Sequence, residues 1–145
     1  MSDRHDFDID AFLSRPLVAR LATNGPTVRP IWFLWEDGAF WWLTGPWSQL
    51  EALLDDPRVA LVVDTCDLAT GRVRQVIAKG RIEVHPYDRE RAIRKLRRYL
   101  GPDVSAWDER FDPDSMPEAK FLRLAPTSLN ARDLSFQPRS ERPSP

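Results

Sequence analysis

The chain has 145 residues, 42% of them hydrophobic, with 21 Lys+Arg against 22 Asp+Glu for a formal net charge of −1. That is one domain's worth of chain with enough apolar content for a core, which excludes wholesale disorder, and its neutral balance excludes the global basic field of a dedicated nucleic-acid binder. No apolar run approaches the ~18 residues of a bilayer span, the polar start MSDRHDFDID resembles neither a signal nor a transit peptide, and a lone cysteine, Cys66, allows no intrachain disulfide and fits a reducing, cytoplasmic location.

Residues 6–14 (DFDIDAFLS) predict a short helix that stops before Arg15-Pro16, because the residue preceding a proline avoids the helical region. Leu17–Thr23 reads as a strand with Leu17, Ala19 and Leu21 on one face. Asn24-Gly25-Pro26 signals a turn, and a second strand runs from Thr27 to Trp35. Asp37-Gly38 marks another tight turn before a third strand, Ala39–Thr44, which makes an antiparallel meander of the three. Ser48-Gln49-Leu50-Glu51 matches a capping box and opens a short helix, Gln49–Asp55, stopped by Asp56-Pro57. Arg58–Asp64 (RVALVVD) is an apolar, β-branched run, hence a buried strand. Arg72–His85 alternates like a long strand with Gly80 as its bulge or bend. Asp88 caps a helix to Leu100 that carries Ala92, Ile93, Leu96, Tyr99 and Leu100 at helical spacing, and Ala119–Ala125 is the last strand. Residues 137–145 (QPRSERPSP) lack core formers and read as a disordered tail behind a single domain, 1–136. Six mostly antiparallel strands with two or three short helices make the chain mainly β and favour a closed or half-open barrel.

Chemistry-bearing motifs are sparse. His5, His85 and Cys66 share no ligand spacing, so no metal site is expected. There is no Gly-x-Ser-x-Gly elbow, and no residue recommends itself as an obligatory proton donor, so the catalytic residues stay unassigned. An enzyme so equipped would leave the hard step to a bound cofactor. The helix after Asp88 carries Arg89, Arg91, Arg94, Lys95, Arg97 and Arg98, which reads either as a phosphate-backbone footprint or as a solvated face. The acidic segment that follows, with Asp103, Asp108, Glu109, Asp112, Asp114 and Glu118, favours the second reading, with the loop folded back to neutralise the helix, and no nucleic-acid partner is expected. Trp32, Phe33 and Trp35 face a hairpin partner bearing Phe40, Trp41 and Trp42. Strand alternation forbids all six from entering one core, so some are expected on the outside as an interface or ligand groove, with an aromatic-rich core as the alternative. Arg29, just before Pro30 on an open edge, is either an anion or ring-carbonyl contact or an ordinary surface pair.

In order and spacing, LVARLATNGPTVRPIWFLWEDG, TGPWSQLEALLDDPRVALVVD, RQVIAKGRIEV and KFLRLAPTSLNARD resemble the split β-barrel family of pyridoxamine 5′-phosphate oxidase-like proteins, over roughly Phe12 to Phe136. That resemblance implies a six-stranded antiparallel split β-barrel, a homodimer, and FMN or the deazaflavin F-420 bound at the subunit interface. It further implies that Arg29, Pro30, Ile31 and Trp32, within the stretch to Leu34, run alongside the cofactor, with Leu43 and Thr44 as the next contacting pair. Ser48 and Gln49 would hold the phosphate at the helix N-terminus, beside Trp47, and Gln75 would touch the ring. The implied activity is hydride transfer between the cofactor and a small unsaturated or aromatic substrate. The 101–117 segment is long enough to be a lid. The alternative is a non-catalytic split-barrel dimer that has lost phosphate binding, since Trp47-Ser48-Gln49-Leu50 offers no Arg or Lys and Ser48 and Glu51 also suit plain capping.

Overall fold

The computed structural model describes residues 3–45 and 50–139. A short helix, α1 (Ile9–Leu13), starts at Asp8, whose carboxylate accepts the Ala11 N–H. Strand β1 (Val18–Thr23) turns into β2 (Thr27–Trp32), and after Phe33 the short β3 (Leu34–Glu36) turns into β4 (Ala39–Thr44). Asp37 (φ 55°) and Gly38 (φ 68°) both take the left-handed conformation of a type I′ turn, whose twist matches the flanking strands. Helix α2 (Leu50–Asp55), β5 (Arg58–Asp67), β6 (Arg72–Pro86) and α3 (Arg89–Leu100) follow. The last strands are β7 (Lys120–Leu124) and β8 (Ser128–Asp133).

Every strand pair is antiparallel, in the order β2-β1-β5-β6-β7-β4-β3, with β8 added beside β6. The two ends of that path, β2 and β3, are joined through Phe33 alone, so the sheet curls back on itself without a ladder between β2 and β4. The 15-residue β6 makes this possible: residues 72–81 pair with β5 and residues 82–86 with β7.

The split-barrel architecture is the expected one, with eight described strands rather than six. The predicted strand Thr27–Trp35 divides because Phe33 leaves the ladder: its N–H donates to Tyr99 Oη at 3.0 Å and its carbonyl accepts from Arg98 at 2.8 Å. Strand β8 carries only a short apolar alternation, Leu129 and Ala131, and is ordered by pairing with residues 74–79 of β6. Gly80 is no bulge, since the β5–β6 register runs unbroken from Arg72 to Arg81. It marks a close approach instead: a Cβ there would lie 2.9 Å from Leu124 Cδ1 and 3.2 Å from the Ala125 carbonyl oxygen. Residues 140–145 of the expected tail lie outside the described residues.

The expected exposed aromatic patch does not form. Phe40 and Trp42 enter the main core with Leu13, Leu21, Leu61 and Val76, while Trp41 joins a second cluster with Leu34, Ala92 and Phe121 on the other side. Helix α3 covers that side, so both faces of the β3–β4 hairpin are buried. The helix keeps a solvated basic face at Arg89, Arg94 and Arg97, as expected, but its other cations turn inward. Arg91 and Arg94 pair with Glu36 at 2.8 and 2.9 Å, Arg98 donates to the carbonyls of Leu13, Arg15 and Phe33, and Lys95 is buried. The acidic loop supplies only Asp114, to Arg89 at 2.6 Å, and uses Asp103, Asp108 and Asp112 to cap its own turns.

Candidate functional site

Between β2 and β4, which form no ladder with each other, lies a seam in the curled sheet. A cavity of about 300 Å³ opens there, lined by Arg29, Pro30, Ile31 and Trp32 from β2 and by Leu43 and Thr44 from β4. Leu21, Trp42, Leu53 and Leu122 form its apolar floor, and Lys95 reaches it from α3. The register fixes Arg29 there: it lies opposite Leu21, which pairs in turn with Leu61, so all three share the core-side face of the sheet at its open edge. The guanidinium is half-buried and makes no ion pair with the described residues. Because among the described residues β2 pairs only with β1, its other edge turns toward the seam without a strand partner.

Six of the ten predicted binding positions therefore meet in one cavity: Arg29, Pro30, Ile31, Trp32, Leu43 and Thr44. Trp47, Ser48 and Gln49 lie outside the described residues, as does the Glu51 side chain. Gln75 is elsewhere. It sits between Asp64 of β5 and Arg132 of β8, offset by one residue from the inward-facing Val76, so it faces the outer surface of the sheet. Of the other arginines near the ladder, Arg20 is already paired with Asp64 at 2.6 Å.

A second cavity, of about 560 Å³, adjoins the seam and shares Trp32, Leu43 and Lys95 with it. Its far wall is the predicted lid segment, which is folded into two short 3₁₀ turns, Val104–Ala106 and Glu109–Phe111. Trp107 Nε1 donates to the Gly101 carbonyl at 3.1 Å, Tyr87 Oη donates to the Pro113 carbonyl at 2.5 Å, and Phe111 stacks on Trp32 at 5.7 Å. Trp32 stacks in turn on Tyr99 at 4.5 Å. A larger cleft, about 1020 Å³, separates α1 from the far ends of β5 and β6, but none of the predicted binding positions lines it, and its Arg74 is paired with Asp133.

Lys95 is the residue that sequence reasoning misplaced. It is only 5% exposed, and burial, helped by Arg98 nearby, lowers its pKa to about 8. The signal was present: Lys95 stands in the stripe Ala92–Leu96–Tyr99, at a position an outward-facing residue would not occupy.

Sequence and structure comparisons bear on the fold. The family model of pyridoxamine 5′-phosphate oxidase matches residues 7–133. The chain belongs to that family. Among proteins of curated function none matches it. The conserved hypothetical protein Rv2991 of Mycobacterium tuberculosis superposes with a TM-score of 0.71 at 20% identity, over 92% of this chain and 90% of that one. A FAD-binding protein of Mesorhizobium loti gives 0.60 at 22% identity, over 87% and 92% of the two chains. An F-420 reductase gives 0.59 at 23% identity, over 83% and 94%. At these identities the three share with this pyridoxamine 5′-phosphate oxidase family member the split-barrel fold.

Proposed function

We propose that the protein is a flavin- or deazaflavin-dependent oxidoreductase that holds FMN, or F-420 in its place, in the seam between β2 and β4, with the site completed by a second copy of the chain. The observation that carries this reading is Arg29: a half-buried cation, without an acidic partner among the described residues, in the gap between β2 and β4. An anionic group or ring carbonyl would satisfy it, and the related M. loti protein and F-420 reductase support a cofactor of that class.

When bound, the flavin supplies the hydride chemistry. The chain's own residues bind and orient. Arg29 presents a rigid fork of N–H donors, the open edge of β2 offers peptide groups to a planar ring's polar rim, and Thr44 adds a hydroxyl from β4. Ile31, Trp42 and Leu43 keep water from the reacting face, so that a small unsaturated or aromatic substrate can lie against it. Gln75 faces away from its own seam and would reach a cofactor only across a dimer, which is one reason to assign two chains to the site. The other is the outer sheet face, where Val28 is 70% and Val18 38% exposed and Ala22, Ala60, Val62 and Ile77 are only half-covered.

Titration of the purified protein with FMN, FAD and F-420, followed by absorbance and fluorescence, tests the reading. One of them is expected to bind with micromolar affinity or better. Arg29→Ala should then weaken binding by on the order of 10–100-fold, the worth of a charge-assisted hydrogen bond. Indifference to all three cofactors, or an unchanged affinity in the variant, rejects it.

A further inference from the structure

The seam does not use all of the buried charge around it. Lys95 lines both the seam and the larger cavity behind it, and it makes no hydrogen bond or ion pair with the described residues. A buried ammonium without a counter-ion is costly unless something anionic completes it. The surroundings do not supply that anion. Arg29 faces it from β2, Arg110 and Glu118 from the loop, and Arg91, Arg98 and Tyr99 from its own helix. Leu43 and Thr44 of β4, Leu122 of β7 and Leu53 of α2 bring no charge. Glu118, the lone acid in this set, is exposed and forms no ion pair with Lys95, and Arg110 is held by Asp108 at 3.3 Å. The rest of the larger cavity is apolar and aromatic, with Trp32, Leu43, Phe111 and Met116 on its walls, and its size suits a small organic molecule.

We propose that the cavity between α3 and the 101–119 loop is a binding site for a flat, apolar carboxylate, its anionic end on the Lys95 ammonium and its body among Trp32, Leu43, Phe111 and Met116. Because this cavity shares Trp32, Leu43 and Lys95 with the seam, a ligand held there lies beside the cofactor position and defines the substrate class as aromatic or unsaturated organic acids. The proposal rests on the preceding reading only in calling that ligand a substrate; binding itself needs no cofactor.

Calorimetric titration of the cofactor-free protein with 2-naphthoate and with its neutral isostere 2-naphthamide tests it. At pH 7 the carboxylate is expected to bind at least tenfold more tightly. That preference should shrink as pH rises past 8, because Lys95 loses its proton there. Lys95→Met should abolish the preference while leaving amide binding in place. Carbon-13 labelling of lysine gives a readout that needs no change at Lys95. The chain has three lysines, Lys79, Lys95 and Lys120, and Lys79→Arg and Lys120→Arg assign the signal of Lys95. Its titration midpoint should move upward on adding naphthoate and stay put with naphthamide. Equal affinities for the two ligands, no binding of either, an unmoved Lys95 midpoint, or competition between naphthoate and a bound flavin would each overturn the proposal. Naphthoate binding to a protein indifferent to flavins would sustain it and reject the cofactor reading alone.

Discussion

Glu36 sits on the last residue of β3, beside the Asp37-Gly38 turn, and receives Arg91 and Arg94 from α3. Arg91 is the inner of the two, its guanidinium carbon 3.5 Å from the Trp41 ring centroid, so one carboxylate fixes both a salt bridge and a cation–π contact. The Arg94 hydrogen bonds, opposed by burial and aided by Arg91, hold the Glu36 carboxyl below its ordinary 4.5. A carboxyl depressed in the folded state contributes stability that is fully present above the unfolded value and is lost as pH falls through the folded one. Glu36→Gln should therefore cost about 1–3 kcal/mol at pH 7, mainly by leaving the part-buried Arg91 with only Asp88, at 3.5 Å, as an acidic partner. In urea melts it should also flatten the fall in stability that the depressed Glu36 carboxyl predicts for the unmodified protein below pH 4.5. An equally steep acid limb in the variant would show that other carboxylates govern it. This pairing was legible only in part. The sequence announced a basic helix in need of neutralisation, but the adjacent acidic loop was the obvious donor, and Glu36 lies more than 50 residues upstream of both arginines.

Elements are positioned by a few polar clamps at places where ladders end. Tyr99 is one: its hydroxyl donates to the Leu17 carbonyl at 2.7 Å and accepts the Phe33 N–H at 3.0 Å, tying α3 to the break between β2 and β3. Tyr99→Phe should lower stability by about 1–3 kcal/mol, since it leaves a buried N–H unsatisfied. It should also weaken flavin binding, because the break sets the angle of the seam. A variant with unaltered Tm would free Tyr99 of that role. Gly80→Ala is expected to cost about 1–3 kcal/mol by overpacking rather than by backbone strain. Its Cβ would press on Leu124 and on the backbone at Ala125 and Thr127, within 3.3 Å. A stability within 0.5 kcal/mol of the unmodified protein, measured by chemical denaturation, would contradict that. Apart from the break at Phe33, strands with apolar alternation and helices with caps were readable to within a few residues, because their period and their terminating prolines are local signals. Strand β8 was not, since Ser128–Asp133 takes its conformation from β6, a partner some 50 residues away in sequence.

At the scale of the whole molecule, the curled sheet has one face filled by its own side chains and helices and another left open. Val62 and Ile77 lie directly opposite each other on the open face, with Arg20 opposite Val62 on the next strand. If that face pairs two copies, Val62→Asp should turn a dimer into a folded monomer in sedimentation and abolish flavin binding, with little change in Tm, because a half-exposed position tolerates a charge in the single chain. A monomeric unmodified protein that nonetheless binds flavin would detach the site from assembly.

Sequence alone determined the mainly β class of fold and the order of its main strands and helices, because alternation, caps and turn residues act between near neighbours, while the β2 and β4 positions that line the seam were implied by the family resemblance. Tertiary structure alone decided that β2 and β4 form no ladder and leave a cavity between them, that Gln75 looks the other way, and that Lys95 turns inward. Each of these depends on how the sheet curls and on which side of it α3 docks, and both are outcomes of packing among residues far apart along the chain.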